Sequence, residues 1–128
     1  MSFTKKLLKW MVGISFILAG INHFLNTEFY LKIMPTYLPF HLFLVYLSGV
    51  FEIILGALFL IPKFSRFAAW GLILLLIAVF PANIFMAMNT ELFPEFNPLL
   101  IWLRLPLQFL LIFWIYQYTK FSLKTFAQ

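Results

Sequence analysis

Two ionisable side chains interrupt stretches that are otherwise apolar: Glu52 in VYLSGVFEIILGALFL and Arg104 in LLIWLRLPLQFLLIFWI. A carboxylate and a guanidinium in such surroundings could pair with each other, hold a polar head group, or, for Glu52, act as an acid or base with His23 as relay. Ser48 stands four residues before Glu52, and Gln108 four after Arg104, so each polar pair shares one face of a helix. Asn22, His23 and Asn83 supply further polar groups within apolar runs. The candidate site is therefore Glu52, Arg104, Asn83, Ser48, Gln108, His23 and Asn22.

Each member also has a structural explanation. Glu52 with Arg104 would lock helix register, and Asn22, Ser48, Asn83 and Gln108 are typical hydrogen-bond partners between helices. His23 lies close enough to a helix end to be solvated. No metal is expected, because His23 and His41 lack the spacing of a zinc or haem motif. The absence of cysteine removes disulfides, thiolate ligands and dithiol redox chemistry together. Trp10, Trp70, Trp102 and Trp114 read as lipid-facing or packing groups. A phosphate-cradling glycine loop, a nucleophile elbow and a pair of neighbouring carboxylates are all missing, so the reading leans away from an enzyme.

The elements that position these residues follow from composition. Of 128 residues, 64% are hydrophobic and 10% charged, more apolar surface than a water-soluble fold of this size can hide. Crossing about 30 Å of hydrocarbon takes about 20 apolar residues in a helix, whereas a barrel would show short alternating segments. Long continuous runs at about 7–24, 42–61, 67–88 and 99–118 predict four spanning helices in one domain covering 1–128. Asn26, Pro35, Pro39, Pro62, Pro94 and Pro98 mark the connections. The first run, after Lys5, Lys6 and Lys9, lacks a small-x-small cleavage site because Ile17 stands two before Ala19, so a retained helix is expected.

Basic residues set the orientation. Lys5, Lys6, Lys9, Lys63, Arg66, Lys120 and Lys124 collect on one side, against Lys32 with Glu28, Glu91 and Glu95 on the other, which predicts both termini inside. The net charge of +5 comes from scattered basic residues that form no patch, so nucleic acid is not an expected partner. The outer connection from Leu25 to His41 mixes Phe29, Tyr30, Ile33, Met34 and Tyr37 with charges and prolines. It suits either a short interfacial segment anchored by aromatic rings or a loop packed over the mouth of the bundle, and both would form a lid.

Depth brings the polar residues together. Glu52 lies about 16 Å below the outer end of its helix and Arg104 about 9 Å, at 1.5 Å per residue, an offset the arginine stem can bridge. Gly49 and Gly56 around Glu52 would let another helix approach closely. Pro81 and Pro106 free the carbonyls of Ile77 and Trp102 at this level. The expected fold is thus all-α, an integral membrane four-helix bundle with a polar cluster in its outer half.

The combination of Ala19-Gly20 with His23-Phe24, Met34-Pro35, Leu38-Pro39, Ser48-Gly49 with Glu52, and Pro81-Ala82-Asn83 with Met86-Ala87 resembles the DoxX-like family of small bacterial four-helix membrane proteins. The likeness covers about Gly13 to Met88, and the last helix fits by hydropathy and Arg104. It implies a bacterial inner-membrane location. It also implies an association with quinone chemistry, since the family takes its name from a subunit of a quinone-reducing thiosulfate oxidase. Related four-helix folds include sterol isomerase-like proteins and a receptor assembly factor, and the lack of cysteine sets this chain apart from thiol redox relatives. No cofactor is evident in the residues themselves. Three roles stay open: a binding or accessory subunit for a quinone-like lipid-soluble molecule or a partner membrane protein, which is favoured; a membrane enzyme using Glu52 on an apolar substrate; and proton or small-solute transport, which would require a homo-oligomer.

Overall fold

In the computed structural model, which describes residues 2–120, the first helix begins where Ser2 Oγ accepts a hydrogen bond from the Lys5 amide at 3.2 Å. Such a cap satisfies one of the orphan amides of a helix N-terminus. It carries helix α1 back through the lysines to Phe3–Leu25, a turn earlier than the apolar run predicts. A short helix α2 follows at Thr27–Lys32, then α3 at His41–Leu60, α4 at Ser65–Met88 and α5 at Pro98–Tyr116. Three-residue turns of 3-10 helix, Pro62–Phe64 and Thr90–Leu92, join α3 to α4 and follow α4.

Breaker residues stop the helices where the chain cannot continue them. Ile61, extended before Pro62, ends α3 one residue short of expectation. Asn97 caps α5 through its side chain on the Leu99 amide at 2.9 Å, with Pro98 at the first helical position. Tyr116 closes that helix two residues early. Four stretches are long and apolar enough to cross a membrane: Phe3–Leu25, His41–Leu60, Pro62–Met88 and Pro98–Tyr116. The chain is a multi-pass helical membrane protein.

The helices pack in chain order, α1 on α3, α3 on α4 and α4 on α5. The closest approach is between α1 and α3. A Cβ placed on Gly20 would stand 2.5 Å from the Gly49 carbonyl, and one on Gly56 would stand 2.8 Å from the Gly13 carbonyl. The two glycine pairs, each seven residues apart, run in opposite directions, so the helices are antiparallel with their backbones nearly touching. Tyr118 donates to the Lys5 carbonyl at 2.8 Å, and Arg66 Nε donates to the Thr119 carbonyl at 2.9 Å, tying the end of α5 to the starts of α1 and α4.

Two apolar clusters result. One, near the ends joined by Tyr118, gathers Val12, Phe16, Leu55, Phe59, Ala68, Leu72, Leu76 and Ile115 from all four long helices. The other, beneath α2, gathers Ile33, Met86, Ala87, Phe93 and Ile101. On α4 and α5 the polar residues fall between these clusters, Asn83 between Leu76 and Met86, and Arg104 and Gln108 between Ile101 and Ile115, while on α3 Glu52 lies between the buried Val45 and Leu55.

The connection from α1 to α3 packs over this polar layer. Of the aromatic rings in this connection, Phe29 and Tyr30 turn in: Phe29 meets Phe93 at 6.2 Å and Phe96 at 5.6 Å, while Ile33 and Pro35 are buried and Tyr37 stays exposed. His41 Nε2 donates to the Pro35 carbonyl at 3.1 Å and pins the end of the connection. Phe40, which precedes α3, holds the left-handed backbone (φ 55°), a conformation uncommon for a residue with a side chain.

Candidate functional site

The glycine seam between α1 and α3 sets the position of Glu52. A Cβ at Gly49 would lie 2.8 Å from His23 Cβ and 3.1 Å from the Gly20 carbonyl, so the histidine reaches α3 only because Gly49 has no side chain. One turn on, Glu52 meets it: His23 Nδ1 lies 3.1 Å from Glu52 Oε2. The same Nδ1 is 2.8 Å from the carbonyl of Ala19, an acceptor only, so Nδ1 carries the proton and gives it to the backbone. Glu52 Oε2 is left buried without a hydrogen-bond partner. Both residues are more than nine-tenths buried. A carboxylate oxygen in that condition carries its full desolvation cost, which a donor from a ligand would relieve.

Above this pair sits Tyr30 of α2. Its ring stacks on His23 with centroids 3.9 Å apart and planes 18° from parallel, and its hydroxyl accepts from Asn22 Nδ2 at 2.7 Å. Asn22 Oδ1 in turn accepts from Asn26 at the α1–α2 break. Burial pushes the Tyr30 phenol above its usual range; the charge on Glu52 adds to that, while Asn22 and the Arg104 charge oppose it.

Arg104 does not bridge to Glu52 as depth suggests. Among the described residues the basic side chain beside Glu52 is His23, at 3.1 Å, and the Arg104 guanidinium turns to α4, donating to Asn83 Oδ1 at 3.2 Å and to the Met86 sulfur at 2.9 Å. The glycine seam turns Glu52 toward α1, and α5 packs on α4, so Arg104 finds its partners on α4 while Glu52 faces His23. Asn83 Nδ2 also donates to Gln108 Oε1 at 2.5 Å, and Gln108 Nε2 donates to the Leu76 carbonyl at 2.5 Å. That acceptor is one residue before Ile77, the carbonyl that Pro81 frees. Ser48 is spent within its own helix on the Val45 carbonyl at 3.0 Å and takes no part.

The predicted residues therefore form two groups. His23 and Glu52 meet at the α1–α3 seam, with Asn22 linked to His23 through Tyr30, and Arg104, Asn83 and Gln108 meet at the α4–α5 contact. From the sequence, Tyr30 lies in a connection that suits either an interfacial anchor or a loop over the bundle mouth, and neither it nor Met86 stands among the candidate residues. A phenol seven residues beyond His23, just past the Asn26 break, is the signal available for Tyr30.

A shallow recess of about 350 Å³ opens at the same end of α4, lined by Pro35, Tyr37, Pro81, Ile84, Phe85 and Met88 with Asn89 at its edge. Its walls are apolar.

The region from Val12 to Thr119, which holds every residue of both groups, matches a family model. The chain belongs to the DUF8561 family. The model is described as a domain of unknown function and spans residues 12–119. No curated protein and no solved structure matches the chain.

Proposed function

We propose that this protein is a membrane-embedded binding or accessory subunit whose polar layer beneath α2 holds the head group of a lipid-soluble, quinone-like molecule. The observation that carries the reading is Glu52 Oε2, buried and without a hydrogen-bond partner beside His23, in a helix long and apolar enough to span a membrane. A group so costly to bury is retained for a use, and a ligand that donates a hydrogen bond gives it one. The apolar recess along α4 offers a surface of the right chemistry for a hydrocarbon tail.

The four long helices form a bundle in the inner membrane of a bacterium with both termini in the cytoplasm. Lys5, Lys6, Lys9, Lys63, Arg66 and Lys120 at one end, against Lys32, Glu28, Glu91 and Glu95 at the other, support that orientation. His23, Gly49 and Glu52, which belong to the pattern that resembles DoxX-like proteins, lie at the seam, in keeping with the same assignment.

The test is a lipid extract of protein purified in mild detergent, compared by mass spectrometry between the wild type and Glu52→Gln. Enrichment of one isoprenoid quinone or similar molecule in the wild type, lost in a folded Glu52→Gln variant, supports the reading. Identical extracts of bulk phospholipid from both overturn it.

A further inference from the structure

Arg104 leaves α5 on the line between two surfaces. Ile101 and Gln108, one turn away on one side, are buried against α4, whereas Leu100 and Leu107, one turn away on the other, are exposed, as is Arg104 itself. Side chains on a helix lean toward its N-terminus, so the arginine reaches back toward Pro98. Its Cα lies about 9 Å below that end, at 1.5 Å per residue. Its Nη1, however, is 2.9 Å from the sulfur of Met86, which stands two residues from the end of α4. The charged head is thus drawn up to the last turn of α4, the level at which a spanning helix meets the lipid head groups.

That head is held in place without being neutralised. Arg104 donates to Asn83, Asn83 to Gln108, and Gln108 to the Leu76 carbonyl, so a relay running in one direction fixes the guanidinium from the buried side. Its two acceptors, an amide oxygen and a thioether sulfur, carry no charge, and among the described residues no carboxylate pairs with Arg104. One N–H goes to each acceptor, and the remaining N–H groups have no acceptor among the described residues. A neutral donor would serve the relay equally well, so the charge itself calls for an anion from outside the chain.

We propose that Arg104 holds the phosphate of a phospholipid, with the exposed leucines of α5 lying against the acyl chains. The charge selects an anion, and the position selects its source: Leu100 and Leu107 flank Arg104 on the exposed face of a helix long and apolar enough to span a membrane, and lipid is what covers such a face. A guanidinium fork meets two phosphate oxygens with parallel N–H groups, which an ammonium cannot do. This site lies on α4 and α5, apart from Glu52 at the α1–α3 seam, and does not depend on what Glu52 binds.

The experiment is native mass spectrometry of the full chain in mild detergent, titrated with dioleoylphosphatidylethanolamine. That lipid carries a phosphodiester but no net charge, so the lysine-rich end of the bundle does not gather it. The proteins are the wild type, Arg104→Gln, Leu100→Glu and Lys32→Gln. Leu100→Glu sets a carboxylate one turn before Arg104, where it competes for the free N–H groups while the relay stays intact. The expected result is a phospholipid adduct on the wild type, binding about tenfold weaker in Arg104→Gln and in Leu100→Glu, and no change in Lys32→Gln, which removes another cation of the same end. Dioleoylglycerol, with the same chains and no phosphate, should bind no better than the phospholipid binds Arg104→Gln, and excess inorganic phosphate should not displace the lipid. Should Arg104→Gln fail to fold, Leu100→Glu decides. Equal binding by the wild type and both α5 variants, an equal loss in Lys32→Gln, binding of dioleoylglycerol as tight as that of the phospholipid, or displacement by inorganic phosphate overturns the inference.

Discussion

His23 and Glu52 touch across the α1–α3 seam because Gly49, one turn from the carboxylate, leaves room for the histidine Cβ. Helix contact and site are therefore one construction: the spacing that brings the backbones together also aims the imidazole at the acid. Any group added to the seam should disturb both.

Alanine at the glycines tests this by degree. At Gly20 the new Cβ would meet the Gly49 carbonyl at 2.5 Å, and at Gly49 it would meet His23 Cβ at 2.8 Å, whereas at Gly71 it would meet only the end of the Leu55 side chain at 2.8 Å. Backbone cannot yield as a flexible side chain can. Gly20→Ala and Gly49→Ala should each cost about 1–3 kcal/mol and Gly71→Ala less, by unfolding in detergent. Equal effects at all three positions would mean that the seam does not set the fold.

The His23 and Glu52 pair should be strongly coupled. Replacing His23 alone by Ala takes away the imidazole 3.1 Å from the buried acid and should cost about 3 kcal/mol or more, while the double change to His23→Ala with Glu52→Gln should recover much of it. A double-mutant cycle reads the coupling. Additive losses would show that the two residues contribute independently.

The α4–α5 network should matter less. Gln108→Leu removes the hydrogen bonds to Asn83 and to the Leu76 carbonyl, and such bonds between membrane helices average about 0.6 kcal/mol. Thermal unfolding should register a loss of that order. A loss as large as that of His23→Ala would place the centre of the site at α4 and α5 instead.

Alkali should loosen the lid through Tyr30. Burial raises its phenol above the ordinary value of 10.0, so above that pH the folded chain holds a proton that the unfolded chain releases, and stability falls as pH rises. Part of the alkaline loss should vanish in Tyr30→Phe, measured as denaturation midpoint against pH. Superimposable profiles would place Tyr30 in an open, solvated position.

The four spans were legible because apolar runs of that length have one stable form in a bilayer, and the prolines and Asn26 marked their ends to within a few residues. The level of Glu52, Asn83, Arg104 and Gln108 was legible too, from depth along each helix, whereas depth gave no sign that Ser48 would turn back on the Val45 carbonyl of its own helix. The pairing was not, because depth does not say which neighbour a helix face meets, and Arg104 therefore looked like the partner of Glu52. The information was present in another form: Gly13 and Gly20 repeat the seven-residue spacing of Gly49 and Gly56, which marks α1 as the close neighbour of α3. Tyr30 was hidden for a different reason, since a helix of six residues is too short to show which side faces inward.

The central claim is that the buried Glu52 carboxylate binds the polar head of a lipid-soluble molecule, and native mass spectrometry of the intact chain tests it most directly. The wild type and the control Glu95→Gln, which changes an exposed loop carboxylate, should each carry a small-molecule adduct of one defined mass at one per chain, and Glu52→Gln should lack it. The same adduct on all three proteins, or none on the wild type, would contradict the claim.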